Sequence, residues 1–205
     1  MRNRDLWLLV SGPSGVGKST LIEQMLGVYF PKMQGAVVCL DGVVTATTRP
    51  MRAGEREGRP YYFLSEEEFK RKETAGEFVE TIERHGAFYG TLKSEVKKRL
   101  EARHDLIMHI DWRGKQKLEE AAKREAWMKN ALVSVFVMPE SLEALRTRLE
   151  RRGRNTFDEI QQRLKTATED LSHAGEYDYV FTSGSYEEDL YRMKAIYAAE
   201  KIRAR

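Results

Sequence analysis

The chain has 205 residues, with 35 Lys and Arg against 32 Asp and Glu, four His and one Cys, for a formal net charge of +3. That length supports a sizeable core without a metal or disulfide staple. So small a net charge excludes a self-repelling disordered chain and argues against a broad nucleic-acid surface.

In chain order, the stretch from Met1 to Asp5 leads into only five apolar residues, too few for a signal peptide, and no apolar run approaches the ~18 residues of a membrane span. Cys39 has no second cysteine to pair with, so a cytoplasmic protein without a membrane partner is expected. Leu6–Val10 is an unbroken apolar run, the pattern of a strand buried on both faces. A glycine-rich turn follows, then a helical spacing with Leu21, Ile22, Met25 and Leu26 on one side. Ala36–Leu40 reads as the next strand. From about Thr45 to Thr91 the apolar runs shorten and turn residues accumulate, among them Pro50, Gly54, Gly58, Pro60, Gly76, Gly86 and Gly90. Tyr61–Leu64 and Ala87–Tyr89 look like strands of a small antiparallel sheet, and Ser65 with Glu68 has the capping-box spacing that opens a short helix carrying Phe69. This segment reads as a subdomain inserted into an α/β core.

Asp105–Ile110, Leu132–Met138 and Tyr179–Thr182 supply the remaining core strands. Arg113–Asn130 reads as a charged, mostly exposed helix. Leu142, Leu145 and Leu149 form one apolar stripe, Ile160, Leu164, Ala167 and Leu171 another, and Leu190, Met193 and Tyr197 that of a C-terminal helix. Strands alternating with helices imply right-handed crossovers and a parallel sheet covered on both faces.

Gly12, Gly17, Lys18 and Ser19 occupy the defining positions of G-x-x-x-x-G-K-[ST], directly after a strand and before a helix. Glycines let the backbone turn successive N–H groups inward as an anion nest at a helix N-terminus. The whole loop, Gly12, Pro13, Ser14, Gly15, Val16, Gly17, Lys18, Ser19 and Thr20, is the expected ATP-binding segment. In it Lys18 supplies a mobile cation for the β- and γ-phosphates and Ser19 a hydroxyl ligand for Mg²⁺. Asp111 ends an apolar strand and could hold Mg²⁺ through water; capping the next turn is its ordinary alternative role. Arginines cluster between Arg49 and Arg59 and between Arg146 and Arg154, as anion sites or as solvated helix faces.

Thr47–Phe63 resembles the acceptor-site signature of guanylate kinases. Gly76–Glu80, Phe88–Thr91, Ile110–Gly114, the run 151–153 with Arg163, and Glu176–Val180 follow in the family's order, so the similarity spans about Leu6 to Leu190. The resemblance implies one domain, 1–205, with a P-loop NTPase-type parallel sheet flanked by helices. Its core would be about 1–44, 92–150 and 164–205, with a GMP-binding insert at about 45–91 and a helical lid at about 151–163. It implies Mg²⁺-dependent transfer of a phosphoryl group from ATP to GMP or dGMP, with nucleotides as partners, no nucleic acid, and a monomer or homodimer. Carried over, Arg49, Arg52, Tyr61 and Tyr89 would hold the acceptor's phosphate. Thr45, Glu80 and Thr91 would read the base, with Gly90 and Asp111 beside them. Lys18, Arg52, Arg152 and Arg163 would gather around the transferring phosphoryl group, while Arg146 and Arg148 fall on a helix and are expected to be solvated.

The residue chemistry agrees. Guanine presents N1–H and N2–H₂ side by side, and one carboxylate such as Glu80 accepts from both; adenine would leave those buried groups unpaired. The chain departs from the family pattern at His109, where an acid is usual, at Ser183–Ser185, where an Asn followed by acids is usual near the adenine, and at Thr45 in place of Ser. A kinase of the same fold acting on another nucleoside monophosphate or a sugar phosphate is the alternative, supported by His109; a non-catalytic interaction domain is a further one, opposed by the intact phosphate loop.

Overall fold

Strand β1 (Trp7–Ser11) forms where the sequence offers no solvent-facing side, and all five of its residues are buried. It is the central strand of a five-stranded parallel sheet of order β2-β7-β1-β8-β9, the others being β2 (Cys39–Gly42), β7 (His104–His109), β8 (Leu132–Met138) and β9 (Tyr179–Thr182). The structure is a computed structural model that describes residues 5–27, 39–59, 61–84, 86–125, 127–128, 130–151, 153 and 156–203. The expected strand at Ala36–Leu40 lies outside the described residues up to position 38, and β2 runs two residues beyond its expected end.

Alternation along the strands divides the core in two. Leu8, Val10, Ile107, Val133 and Val135 pack on Leu21 and Met25 of α1 (Lys18–Leu26) and on Met193 and Tyr197 of α7 (Tyr186–Ile202). Trp7, Leu9, Leu106 and Met108 meet Val96 and Leu100 of α3 (Lys93–Glu101) and Leu118 of α4 (Trp112–Arg124). Each fully buried aliphatic side chain contributes roughly 1.5–3 kcal/mol. At the start of β7 the carboxylate of Asp105, 1% exposed, accepts from the Leu6 N–H at 2.8 Å and the Tyr197 hydroxyl at 2.5 Å, with Lys201 Nζ 2.9 Å away. That cluster fastens the last turns of α7 to the rear edge of the sheet.

The second sheet has the order β4-β3-β6-β5, with β3 (Thr45–Thr47), β4 (Tyr61–Phe63), β5 (Phe78–Arg84) and β6 (Ala87–Leu92). It is mixed and not antiparallel as expected: β5–β6 and β3–β6 are antiparallel, whereas β3 and β4 run parallel. The connection 48–60 is the physical reason, because it is long enough to carry the chain back to the end where β3 began. Helix α2 (Glu66–Thr74) starts at Ser65, whose hydroxyl accepts from the Glu68 N–H at 3.1 Å, and brings Phe69 onto Phe78 with ring centroids 4.5 Å apart.

Helix α4 begins at Trp112 and stops at Arg124, short of the expected Asn130. It is also less solvated than its composition suggests, since Lys115 is 2% exposed and donates to the Glu176 carbonyl at 2.5 Å while pairing with Glu119 at 2.8 Å. Helices α5 (Leu142–Arg151) and α6 (Phe157–Ser172) follow β8, and Thr156 with Glu159 forms a complete capping box at the start of α6. Among the described residues no helix is long and apolar enough to cross a membrane.

Candidate active site

The loop after β1 is shaped by sterics first. Gly12 has φ +139, and a Cβ there would lie 2.3 Å from the Val137 carbonyl oxygen, so only glycine lets the loop pass this close to β8. Gly17 begins α1 in a left-handed conformation with no side-chain cap, which leaves the helix N-terminus open to an anion. Gly12, Ser14, Gly15, Gly17, Lys18, Ser19 and Thr20 line a cleft beside this turn, with Pro13 and Val16 buried beneath it. Lys18 folds back across the loop, donating to the Gly12 and Pro13 carbonyls at 2.6 and 2.8 Å. Arg163 reaches over from α6 and donates to the Ser14 hydroxyl at 2.6 Å.

A second cleft of about 320 Å³, the size of a small-molecule site, opens between the two sheets and is lined by Thr45, Arg52, Tyr61, Glu80, Tyr89, Gly90, Asp111 and Arg163. β5 carries a register shift between Phe78 and Glu80, a bulge that lets Phe78, Val79 and Glu80 all be buried in succession on different neighbours. Phe78 joins the core of the second sheet, Val79 the core below the parallel sheet, and Glu80 is left to the cleft. Gly90 permits this, because a Cβ there would meet the Phe78 ring at 2.8 Å. Burial pushes the Glu80 carboxyl up from 4.5 to about 7, against the Thr91 hydroxyl that donates to it at 2.8 Å. Thr91 thus lies behind Glu80, fully buried, and its single proton orients the carboxylate.

Arg49 stands outside the lining. Both its terminal nitrogens donate to Glu55, at 2.8 and 3.0 Å, and Glu55 also accepts from the Arg52 N–H at 2.8 Å, closing the 48–60 connection on itself. The bond to Glu55 holds the Arg49 guanidinium above its ordinary pKa, and that guanidinium lies 5.4 Å from the Tyr61 ring centroid. Tyr61 and Tyr89 meet edge to face at 5.9 Å, and burial raises the Tyr61 phenol. The Tyr61 phenol stays a neutral donor across physiological pH.

The two clefts share a floor. Arg84, His109, Ile110 and Asp111 line both. Asp111 accepts from the Gly114 N–H at 2.8 Å as N-cap of α4, so the ordinary capping role expected of a strand-end acid is real, and its second oxygen remains for the cleft. His109 is exposed to the cleft, whose walls, followed by the charges of Lys18 and Arg84, hold its pKa below the usual 6.5 and keep it neutral. Asp170 of α6 lines the loop cleft, and burial raises its carboxyl to about 6.

On the far side of the loop, Ser183 lines a third hollow with Gly15, Gly17, Arg148, Arg151 and Tyr186. Arg148 corrects an expectation: it is not solvated but donates to the Val16 carbonyl at 3.1 Å and to Ser183 at 3.4 Å. Ser183 in turn donates to Asp189 at 2.7 Å. Arg152 lies outside the described residues.

The guanylate kinase family matches residues 5–200, nearly the whole chain. The chain belongs to the guanylate kinase family. It is 39% identical over 202 residues to the guanylate kinase of Maricaulis maris (strain MCS10), covering 98% of this chain and 86% of that one. The guanylate kinase of Hahella chejuensis (strain KCTC 2396) is 36% identical over 195 residues, covering 95% and 86%. The crystal structure of guanylate kinase from Anaplasma phagocytophilum superposes with a TM-score of 0.72 at 31% identity, covering 100% of this chain and 90% of that one. The P-loop α/β fold expected from the sequence is therefore that of the guanylate kinase family.

In this guanylate kinase family member Arg84 and Asp170 are functional-site residues that the sequence did not single out, and Arg148 is one that it assigned to a solvated helix face. Nothing in local sequence marks them, because each reaches the site from the end of a hairpin or from a helix that packs over the loop.

Proposed function

We propose that this protein transfers the γ-phosphoryl group of ATP to GMP or dGMP, giving ADP and GDP or dGDP. The observation that carries this is the shared floor, which sets the phosphate loop and a cleft holding a buried carboxylate on either side of the same strand end. Glu80, held by Thr91, accepts from guanine N1–H and N2–H₂, and Thr45 offers a hydroxyl nearby. Arg52, Tyr61 and Tyr89 of the cleft take the acceptor's phosphate, and Arg49 joins them by exchanging Glu55 for it. In transfer, an oxygen of that phosphate bonds to the γ-phosphorus as the β–γ bridging oxygen leaves with ADP. Lys18, Arg52, Arg152 and Arg163 stabilise the charge spread over the equatorial oxygens.

Ser19 and Asp111 line the same cleft, and with one Asp111 oxygen already fixed by the Gly114 N–H they form an oxygen-only donor set suited to Mg²⁺ that keeps part of its water shell. Bound there, Mg²⁺ would offset the negative charge of the β- and γ-phosphates. Residues of about 45–91 would act as the acceptor-binding part and about 151–163 as the lid, in a cytoplasmic enzyme.

The test is ADP release with ATP and Mg²⁺ against GMP, dGMP, AMP, UMP, CMP and ribose bisphosphate. Turnover with GMP and dGMP alone, abolished by Lys18→Ala, is expected. No turnover with GMP, or turnover only with another acceptor, overturns the reading.

A further inference from the structure

Of the four residues lining both clefts, Arg84 alone carries a permanent positive charge. It ends β5, pairing with Ala87 at the tip of the β5–β6 hairpin, so the second sheet holds it out over the loop after β1. On one side it shares the cleft with Arg52, Glu80 and Tyr89, and on the other with Lys18, Ser19 and Asp170. Other arginines of this chain are tied to carboxylates: Arg49 to Glu55, Arg99 to Asp41, Arg113 to Glu169. Arg84 has no hydrogen-bonding or ion-pair partner for its guanidinium among the described residues. Arg84 is exposed, and the solvent it meets is that of the junction between the two clefts it lines. Asp111 and Asp170 are the acids facing the same space, from the cap of α4 and from α6.

We propose that Arg84 is a further catalytic residue, donating its N–H groups to the phosphoryl oxygens as they pass from one cleft to the other. This rests on the kinase reading above. No proton moves to or from Arg84; the bond made is acceptor oxygen to γ-phosphorus, the bond broken is γ-phosphorus to bridging oxygen, and the guanidinium meets charge that is greatest in between.

The experiment compares full-length wild type, Arg84→Gln and Arg84→Lys by ADP release with ATP, Mg²⁺ and GMP, varying each nucleotide, together with thermal unfolding. Arg84→Gln should lose about 10²-fold in kcat, with KM for either nucleotide changed less than about threefold and an unchanged Tm. Arg84→Lys should regain part of that loss, because a point charge remains without the fork. A kcat for Arg84→Gln within about threefold of wild type overturns the proposal, as does a loss confined to one KM. If Arg84→Gln unfolds, Arg84→Lys decides alone: a kcat equal to wild type overturns the proposal and a reduced one supports it. A wild type inactive on GMP defeats the kinase reading and this proposal together, whereas an active wild type matched by Arg84→Gln defeats only the role of Arg84.

Discussion

Replacing Glu80 with Gln separates recognition from stability, because the two effects have opposite sign. A carboxylate accepting from guanine N1–H and N2–H₂ makes two charge-assisted bonds, each worth roughly 1.5–3 kcal/mol. Glutamine keeps one acceptor and turns an NH₂ toward a base N–H, losing one bond and leaving donors unpaired. A loss of ~3–4 kcal/mol follows, about 10²–10³ in kcat/KM for GMP. Stability moves the other way. Burial raises the Glu80 carboxyl from 4.5 to about 7, so the folded state holds this proton more tightly than the unfolded chain does. The resulting stability is fully present below pH 4.5 and is lost as pH rises to about 7, a decline of about 3 kcal/mol at 1.36 kcal/mol per unit. Glutamine cannot ionise and escapes that decline. Glu80→Gln should therefore match wild type near pH 4.5 and exceed it at pH 8 by up to ~3 kcal/mol, while being the poorer enzyme. Urea unfolding at both pH values and initial rates with GMP check both halves. GMP kinetics within about threefold of wild type would remove Glu80 from base reading, and parallel stability profiles would refute the burial argument.

Gly12→Ala, which would press a Cβ to 2.3 Å from the Val137 carbonyl oxygen, should cost ~2–4 kcal/mol, whereas Gly17→Ala, strained in φ but with nothing within 4 Å, should cost ~1–2 kcal/mol; equal shifts in urea midpoint would contradict this. Asp105→Asn removes the charge of the buried carboxylate that lies 2.9 Å from the Lys201 ammonium and should destabilise by ~3–5 kcal/mol in urea unfolding, with GMP kinetics of the folded fraction unchanged. Arg148→Ala should raise KM for ATP by about threefold to tenfold and leave KM for GMP alone, measured by initial rates with each nucleotide varied, because it removes the guanidinium that ties the Val16 carbonyl to Ser183 on the far side of the loop.

The parallel sheet and the phosphate loop were legible because both are written locally: unbroken apolar runs for doubly buried strands, and glycines at fixed offsets for the anion nest. The direction of β4 was not, since strand pairing is a tertiary choice and the aromatic run Tyr61–Phe63 suits either direction. Charged side chains were the least legible. Lys115 looks solvated by composition but threads its ammonium to the Glu176 carbonyl, and Arg148 leaves the exposed side of its helix for the loop. The Arg49–Glu55 clamp lies six residues apart inside a loop, a spacing that announces nothing in advance.

The odd–even division of the core governs which changes of length this chain can absorb. Along β7, Asp105 and Ile107 serve the layer of α1 and α7, while Leu106 and Met108 serve that of α3 and α4. Deleting one residue there would exchange the layers, strand Asp105 away from Lys201, and bring Ile110 to the cleft position that His109 holds. Parity therefore ties the rear of the sheet to the chemistry at its front. Insertions and deletions that survive in relatives of this protein should avoid β7 altogether, and should spare the 48–60 connection as well, where the Arg49–Glu55 clamp and Arg52 fix the spacing.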